Sequence, residues 1–115
     1  TQVRFVPVGD EHLASCEQLS DEITSNNIRV DIDDRDRTVG KRIRKAEKDR
    51  VPYTIVYGDE EEGSDKVPVR IRESGEEVEM EISEVIKEIN ERTENKPFKP
   101  LTLSRRLSER PSFVG

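Results

Sequence analysis

The chain has 115 residues, about the size of one domain, with 30% hydrophobic and 40% charged residues and a net charge of −6. A chain of this length forms one lean core and not two, and its acidity argues against a general nucleic-acid binder, which carries clustered excess Lys and Arg. One cysteine, Cys16, and one histidine, His12, leave no intramolecular disulfide and no zinc spacing, so no resident metal or other cofactor is expected. No apolar run approaches the roughly 20 residues that span a bilayer, and no signal peptide opens the chain, so no membrane partner and an intracellular, cytoplasmic site are expected. Thr1 and not Met stands first, and a longer parent is expected.

In chain order, Val3–Val8 reads as a strand covered on both faces and ending at Gly9. Residues 11–26 read as a helix whose Leu13, Cys16, Leu19 and Ile23 form one stripe, with Asn26 and Asn27 ending it. Cys16 is thus a packing residue, and His12, near the helix start, is expected at the surface. Ile28, Val30 and Ile32 alternate with charged residues, the period of a half-buried edge strand. A second helix is predicted over Val39–Arg50 with Thr38 as N-cap, stopped by Pro52. Tyr53–Tyr57 is a third strand, and right-handed crossovers make these three strands parallel with helices on both faces.

The acidic run Asp59–Glu62 lies between Gly58 and Gly63 and reads as a loop tip. Val67, Val69 and Ile71, then Val78, Met80 and Ile82, alternate on two strands joined around Ser74-Gly75 as a hairpin. A two-residue turn would set Arg70 opposite Glu79 and Arg72 opposite Glu77, and such ion pairs would fully account for both arginines. A last helix begins near Ser83 as N-cap, with Ile82, Val85, Ile86 and Ile89 as its apolar stripe. From Lys96 onward Pro97, Pro100 and Pro111 prevent a regular helix. The organisation expected is a domain at 1–95 and a Pro-containing tail at 96–115.

Charge is unevenly placed. Between Arg35 and Arg50 eight basic residues face three acidic ones, a net of +5 that leaves −11 elsewhere. This pattern suggests one anionic partner docked at one place. Val39, Ile43, Ala46 and the stem of Arg50 fall on one side of the second helix. Lys41, Arg44, Lys45 and Lys48 fall on the other, as either a phosphate- or base-contacting stripe or a solvated face. Asp31, Asp33, Asp34 and Asp36 lack the turn glycine of a calcium loop. Gly9 alone makes no phosphate loop, and no catalytic constellation is present.

The run from Val30 to Arg44 (Val-Asp-Ile-Asp-Asp-Arg-Asp-Arg-Thr-Val-Gly-Lys-Arg-Ile-Arg), the Arg50-Val51-Pro52-Tyr53 lead-in to the third strand, Gly58-Asp59 and Lys66-Val67-Pro68-Val69-Arg70 together resemble the C-terminal anticodon-binding domains of threonyl-tRNA synthetases. The closing Arg106-Leu107-Ser108-Glu109-Arg110-Pro111 is similar to the archaeal branch. The resemblance implies an α/β, three-layer fold, a five-stranded mixed sheet flanked by three helices. It implies recognition of the anticodon loop of threonine tRNA by Asp36, Arg44, Glu61 and Arg70, with Arg35, Arg37, Lys41, Lys45 and Lys48 along the RNA backbone. It departs at Asp36, where bacterial members carry Asn.

The resemblance also implies attachment to the rest of a synthetase chain, a homodimeric parent, and ATP, magnesium and zinc in a catalytic domain that this sequence does not contain. Two further readings stay open. One is the corresponding domain of a histidyl-, prolyl- or glycyl-tRNA synthetase, and the other is a non-catalytic protein-interaction module of the same fold.

Overall fold

In the computed structural model, which describes residues 1–93 and 103–110, five strands form one mixed sheet. The strands are β1 (Val3–Pro7), β2 (Val30–Ile32), β3 (Tyr53–Tyr57), β4 (Lys66–Ile71) and β5 (Glu76–Glu81), in spatial order β2-β1-β3-β4-β5. β1 is parallel to both β2 and β3, while β4 runs antiparallel to β3 and to β5. The parallel half follows from its crossover helices α1 (Leu13–Thr24) and α2 (Val39–Lys48), and the antiparallel half from direct connections that need no crossover.

Strand periodicity divides the side chains cleanly. Val3, Phe5, Val30, Ile32, Tyr53, Ile55, Tyr57, Val67 and Val69 share one face and build the hydrophobic core with Cys16 and Ile23 of α1 and with Ile82, Val85 and Ile89 of α4 (Ile82–Thr93). The opposite face is mainly polar, with Val6 buried on it. The register lines up Asp31, Arg4, Thr54, Arg70 and Glu77 in a single row across all five strands. α2 covers the β1 and β3 part of that face, and so Asp31, Arg4 and Thr54 are buried, Arg70 is half-buried and Glu77 is exposed.

Helix ends follow local chemistry. Thr38 Oγ1 accepts from Lys41 N at 3.2 Å as the expected cap of α2. α1 is followed by Asn27 at φ 63°, a left-handed position that asparagine tolerates. α2 stops two residues before Arg50, which stands outside the helix at φ 58° and closes it: Arg50 N donates to Glu47 O and Val51 N to Ala46 O. The stem of Arg50 therefore belongs to no apolar stripe, and the buried side of α2 is Ala46 with Arg42.

Several expectations need correction. A single 3-10 turn, Asp10–His12, precedes α1, and His12 is buried at 3% exposure and not on the surface. The run Asp59–Glu62 is a one-turn helix, α3, so among the described residues four helices accompany the sheet and not three. Its four acidic side chains all lie in the first turn, where unpaired backbone N–H groups favour negative charge.

The hairpin turn spans four residues, because Ile71 pairs with Glu76 and Gly75 N donates to Ile71 O with Gly75 at φ 73°. Arg70 therefore faces Glu77 and not Glu79, and Arg72 lies in the turn. α4 starts directly after β5 at Ile82, with Glu84 accepting from Glu81 N at 3.1 Å, so Ser83 is not its cap. Among the described residues no helix is long and apolar enough to cross a membrane.

β2 is an edge strand, yet all three of its residues are buried. Residues 103–110 lie against it, pairing Ile32 with Arg106 in parallel, and Ile32 N donates to Arg105 O at 2.8 Å. This covering segment is what the alternation of Val30, Asp31 and Ile32 could not reveal. Pro97, Pro100, Pro111 and the expected boundary at 95/96 lie outside the described residues.

Candidate nucleic-acid interface

The polar face begins with a buried ion cluster. A carboxylate and a guanidinium of matching fork geometry meet where Arg4 Nε and Nη2 donate to Asp31 Oδ1 and Oδ2 at 2.8 and 2.9 Å, with Arg4 2% and Asp31 0% exposed. Arg4 Nη1 also donates to Asp49 Oδ2 at 2.7 Å, and Lys45 Nζ reaches Asp49 Oδ1 at 3.0 Å. Arg110 Nη2 and Thr1 Oγ1 complete the Asp31 carboxylate at 3.0 and 2.8 Å.

Burial would lower the Arg4 pKa, but Asp31 and Asp49 outweigh it and hold the guanidinium above its usual value. Asp49 is lowered from its ordinary 3.8, since Arg4 and Lys45 overcome the opposing effect of burial. Its folded value lies below its unfolded one, so its contribution to stability is complete above the ordinary value and is lost as pH falls through the depressed one. Acid titration followed by circular dichroism should therefore show Asp49→Asn narrowing its stability gap to the parent below about pH 3.8. A gap that stays constant down to acid unfolding would contradict the pairing.

The loop between β2 and α2 is built on Asp33. This buried carboxylate takes the Arg35 guanidinium at 2.8 Å through each oxygen and the Arg35 backbone N–H at 3.3 Å. Arg42, buried on α2, donates from Nη1 to Pro7 O at 2.6 Å and Asp33 O at 2.9 Å, tying the carboxyl ends of β1 and β2 to the helix. Arg37 Nη1 donates to Asp36 O at 2.8 Å, leaving the exposed Asp36 carboxylate facing solvent. Asp34 accepts from Ser108. The acidic run therefore spreads its carboxylates over separate structural partners.

Three of the eight cations in the basic island are consequently engaged inside the domain: Arg35 on Asp33, Lys45 on Asp49, and Arg42 in the core. Arg37, Lys41, Arg44 and Lys48 are exposed. Arg44 pairs with no described residue. Arg35 and Lys45, expected along the RNA backbone, are thus less available than their sequence position suggests.

Arg70 lines a shallow cleft between α2 and the hairpin together with Ile43, Glu47, Thr54 and Arg72. It lies at the margin where α2 ceases to cover the sheet, on the same side as Arg44. Glu61 sits on α3, beyond the carboxyl end of β3, and one of its oxygens accepts from Gly58 N at 2.7 Å. A Cβ at Gly58 would lie 2.9 Å from Val8 Cγ2, so a larger residue there would have to push the exposed Val8 side chain aside. α3 is held to the first crossover by His12, whose Nε2 lies 3.1 Å from Asp59 Oδ1 and Nδ1 3.3 Å from Glu62 Oε1.

The four candidate readers therefore share no direct contact among the described residues. Asp36 and Glu61 project beyond the carboxyl ends of the parallel strands, and Arg44 and Arg70 flank the α2 side of the sheet. Cys16 is fully buried in the core, and burial, with the charges of Glu62 and Glu17, pushes its thiol up to about 12, so it offers no thiolate chemistry.

Sequence reasoning missed the Arg4–Asp31 pair and the roles of His12 and Arg42. A usable signal existed for the first. Arg4 is a lone charge in an apolar strand expected to be covered on both faces, and a buried charge requires a partner.

Three parallel strands with crossover helices, extended by an antiparallel hairpin, give the fold of the class. A family model described as "Anticodon binding domain" matches residues 2–92, and the chain belongs to this family. Within it, the chain is similar to the threonine–tRNA ligase of Nitrosopumilus maritimus (strain SCM1), 42% identical over 114 residues covering 99% of this chain and 18% of the relative. It is 44% identical over 112 residues to that of Methanobrevibacter smithii, covering 97% and 18%. The chain thus spans under a fifth of the curated relatives it matches. A solved histidyl-tRNA synthetase from Nostoc sp. PCC 7120 superimposes with a TM-score of 0.73 at 25% identity over 80% of this chain and 22% of that one. The fold is shared with this histidyl enzyme, while the two archaeal threonine–tRNA ligases are more similar in sequence.

Proposed function

We propose that this chain reads the anticodon loop of threonine tRNA, as the anticodon-binding part of a longer threonyl-tRNA synthetase. The observation that supports this most is the placement of Arg44, exposed and paired with no described residue, on the same side of the sheet as the cleft-lining Arg70, with Asp36 and Glu61 at the adjoining strand ends. Donor forks and acceptors together can read base edges, whereas cations alone attract phosphate without regard to sequence. Arg37, Lys41 and Lys48 position the RNA backbone, with lesser parts for Arg35 and Lys45. The acidic remainder of the surface repels RNA placed elsewhere. In the longer protein, aminoacylation with ATP, magnesium and zinc belongs to its catalytic portion, and that parent is a cytoplasmic homodimer.

The test is a titration of this chain with RNA stem-loops, followed by NMR chemical shifts. Loops carrying a threonine anticodon should bind more tightly than loops altered at one anticodon base by about 1–3 kcal/mol, the usual worth of one good base contact. The largest shifts should fall at residues 36–44 and near Arg70. Binding indifferent to loop sequence, or none at all, would favour a protein-interaction module instead.

A further inference from the structure

The segment 103–110 does more than cover the edge of β2. Ser108 donates twice to one carboxylate, from its backbone N to Asp34 Oδ1 at 3.0 Å and from Oγ to Asp34 Oδ2 at 2.7 Å. Asp34 lies two residues before Asp36, in the loop whose other side is fixed by Asp33, Arg35 and Arg42. Ser108 is 74 residues away in sequence, so this contact joins the tail to the recognition loop and not to its own surroundings.

The tail is docked independently of that contact. Arg105 Nη1 donates to Glu17 Oε2 at 3.2 Å and Asp21 Oδ1 at 2.7 Å, and Arg106 Nε to Glu17 Oε1 at 2.9 Å, all on α1. Leu107 is buried, and Arg110 reaches the buried Asp31 and donates to Ser104 O. Anchors on α1 and β2 thus hold a short 3-10 turn, Leu107–Glu109, so that Ser108 meets the loop.

We propose that Ser108 is a positioning residue for anticodon reading: by clamping Asp34 it fixes the backbone that presents Asp36 to the RNA. This inference rests on the reading of Asp36 under Proposed function. Without the Ser108 hydroxyl one of the two bonds to Asp34 is lost while the backbone N–H still holds Asp34 Oδ1, and a reader on a looser loop loses selectivity before it loses charge attraction. The clamp's effect is on discrimination and loop order.

The experiment compares the 115-residue chain with Ser108→Ala, Ser108→Thr and Asp34→Ala against the same threonine and one-base-altered stem-loops. Ser108→Ala should reduce the preference for the threonine loop by roughly 3- to 10-fold, the scale of one ordinary hydrogen bond, since the backbone bond to Asp34 remains. It should leave the slope of affinity against salt unchanged, because no phosphate contact is removed. Amide exchange at residues 35–38 should quicken, and Ser108→Thr, which keeps the hydroxyl, should restore both readouts. If Ser108→Ala and Asp34→Ala, the second of which removes both bonds, each melt normally and keep the full preference, the inference alone is overturned. If the unsubstituted chain shows no preference among loops, the reading of the site falls and the inference with it.

Discussion

Replacing Asp31 by Asn is expected to cost about 3 kcal/mol of folding stability, the lower end of the range for breaking a buried ion pair. The substitution keeps the shape and removes the charge. Arg4, 2% exposed, would then retain only Asp49, and Arg110 would lose its carboxylate partner altogether. Because Asp49 still faces Arg4, the loss stays at the lower end and does not reach the full penalty of an orphaned guanidinium. Out of a total of roughly 5–15 kcal/mol this is a large share, and the melting temperature should fall by on the order of 10–20 °C. Lys45→Ala, which breaks the partly exposed end of the same cluster, should cost under about 1 kcal/mol. Urea unfolding of both variants makes the comparison. If Asp31→Asn lost no more than Lys45→Ala, the cluster would carry no more weight than a surface pair.

That contrast also shows what was legible in the sequence. Local chemistry was readable: Thr38 caps α2, Asn26-Asn27 ends α1, and the alternation Val67-Val69-Ile71 gives the core face of β4. Each of these depends on residues within a few positions of one another. Asp31 was not readable, because its alternation with Val30 and Ile32 marks two faces of a strand and is silent about whether the second is covered. α2 and the segment 103–110 cover it, and both lie elsewhere in the chain.

The candidate site divides the same way. The resemblance placed Asp36, Arg44, Glu61 and Arg70 along the chain, and the structure puts Arg44 and Arg70 on one side of the sheet with the other two at its strand ends. Charge counting overstated the basic island, since it could not tell a cation facing solvent from one such as Arg42, whose guanidinium holds two backbone carbonyls in the core. The hairpin register failed for a local reason. Gly75 adopts a left-handed conformation within a four-residue turn, and a turn two residues longer moves Arg70 from Glu79 to Glu77 while keeping its face, because strand periodicity is two. The error changed a partner and left the candidate site intact.

Arg44→Ala should weaken binding of the threonine anticodon loop by about 1–3 kcal/mol and narrow its margin over altered loops, as expected for loss of a bidentate base contact. Arg44 is exposed and pairs with no described residue, so its removal orphans nothing in the fold and stability should change by less than about 0.5 kcal/mol. Arg44→Lys separates the two things arginine offers. It keeps the charge and loses the planar fork, so it should recover attraction to RNA without recovering discrimination. Lys48→Ala supplies the opposite control. Exposed on the same helix, Lys48 is placed at phosphates, and its loss should weaken every loop about equally and lower the salt slope by about one unit or less. The four proteins can be compared by fluorescence titration at two salt concentrations, since raising the salt screens the phosphate term more than a close base contact. If Arg44→Lys discriminated among loops as well as the parent, Arg44 would act only through its charge, and base reading would have to rest on Arg70, Asp36 and Glu61.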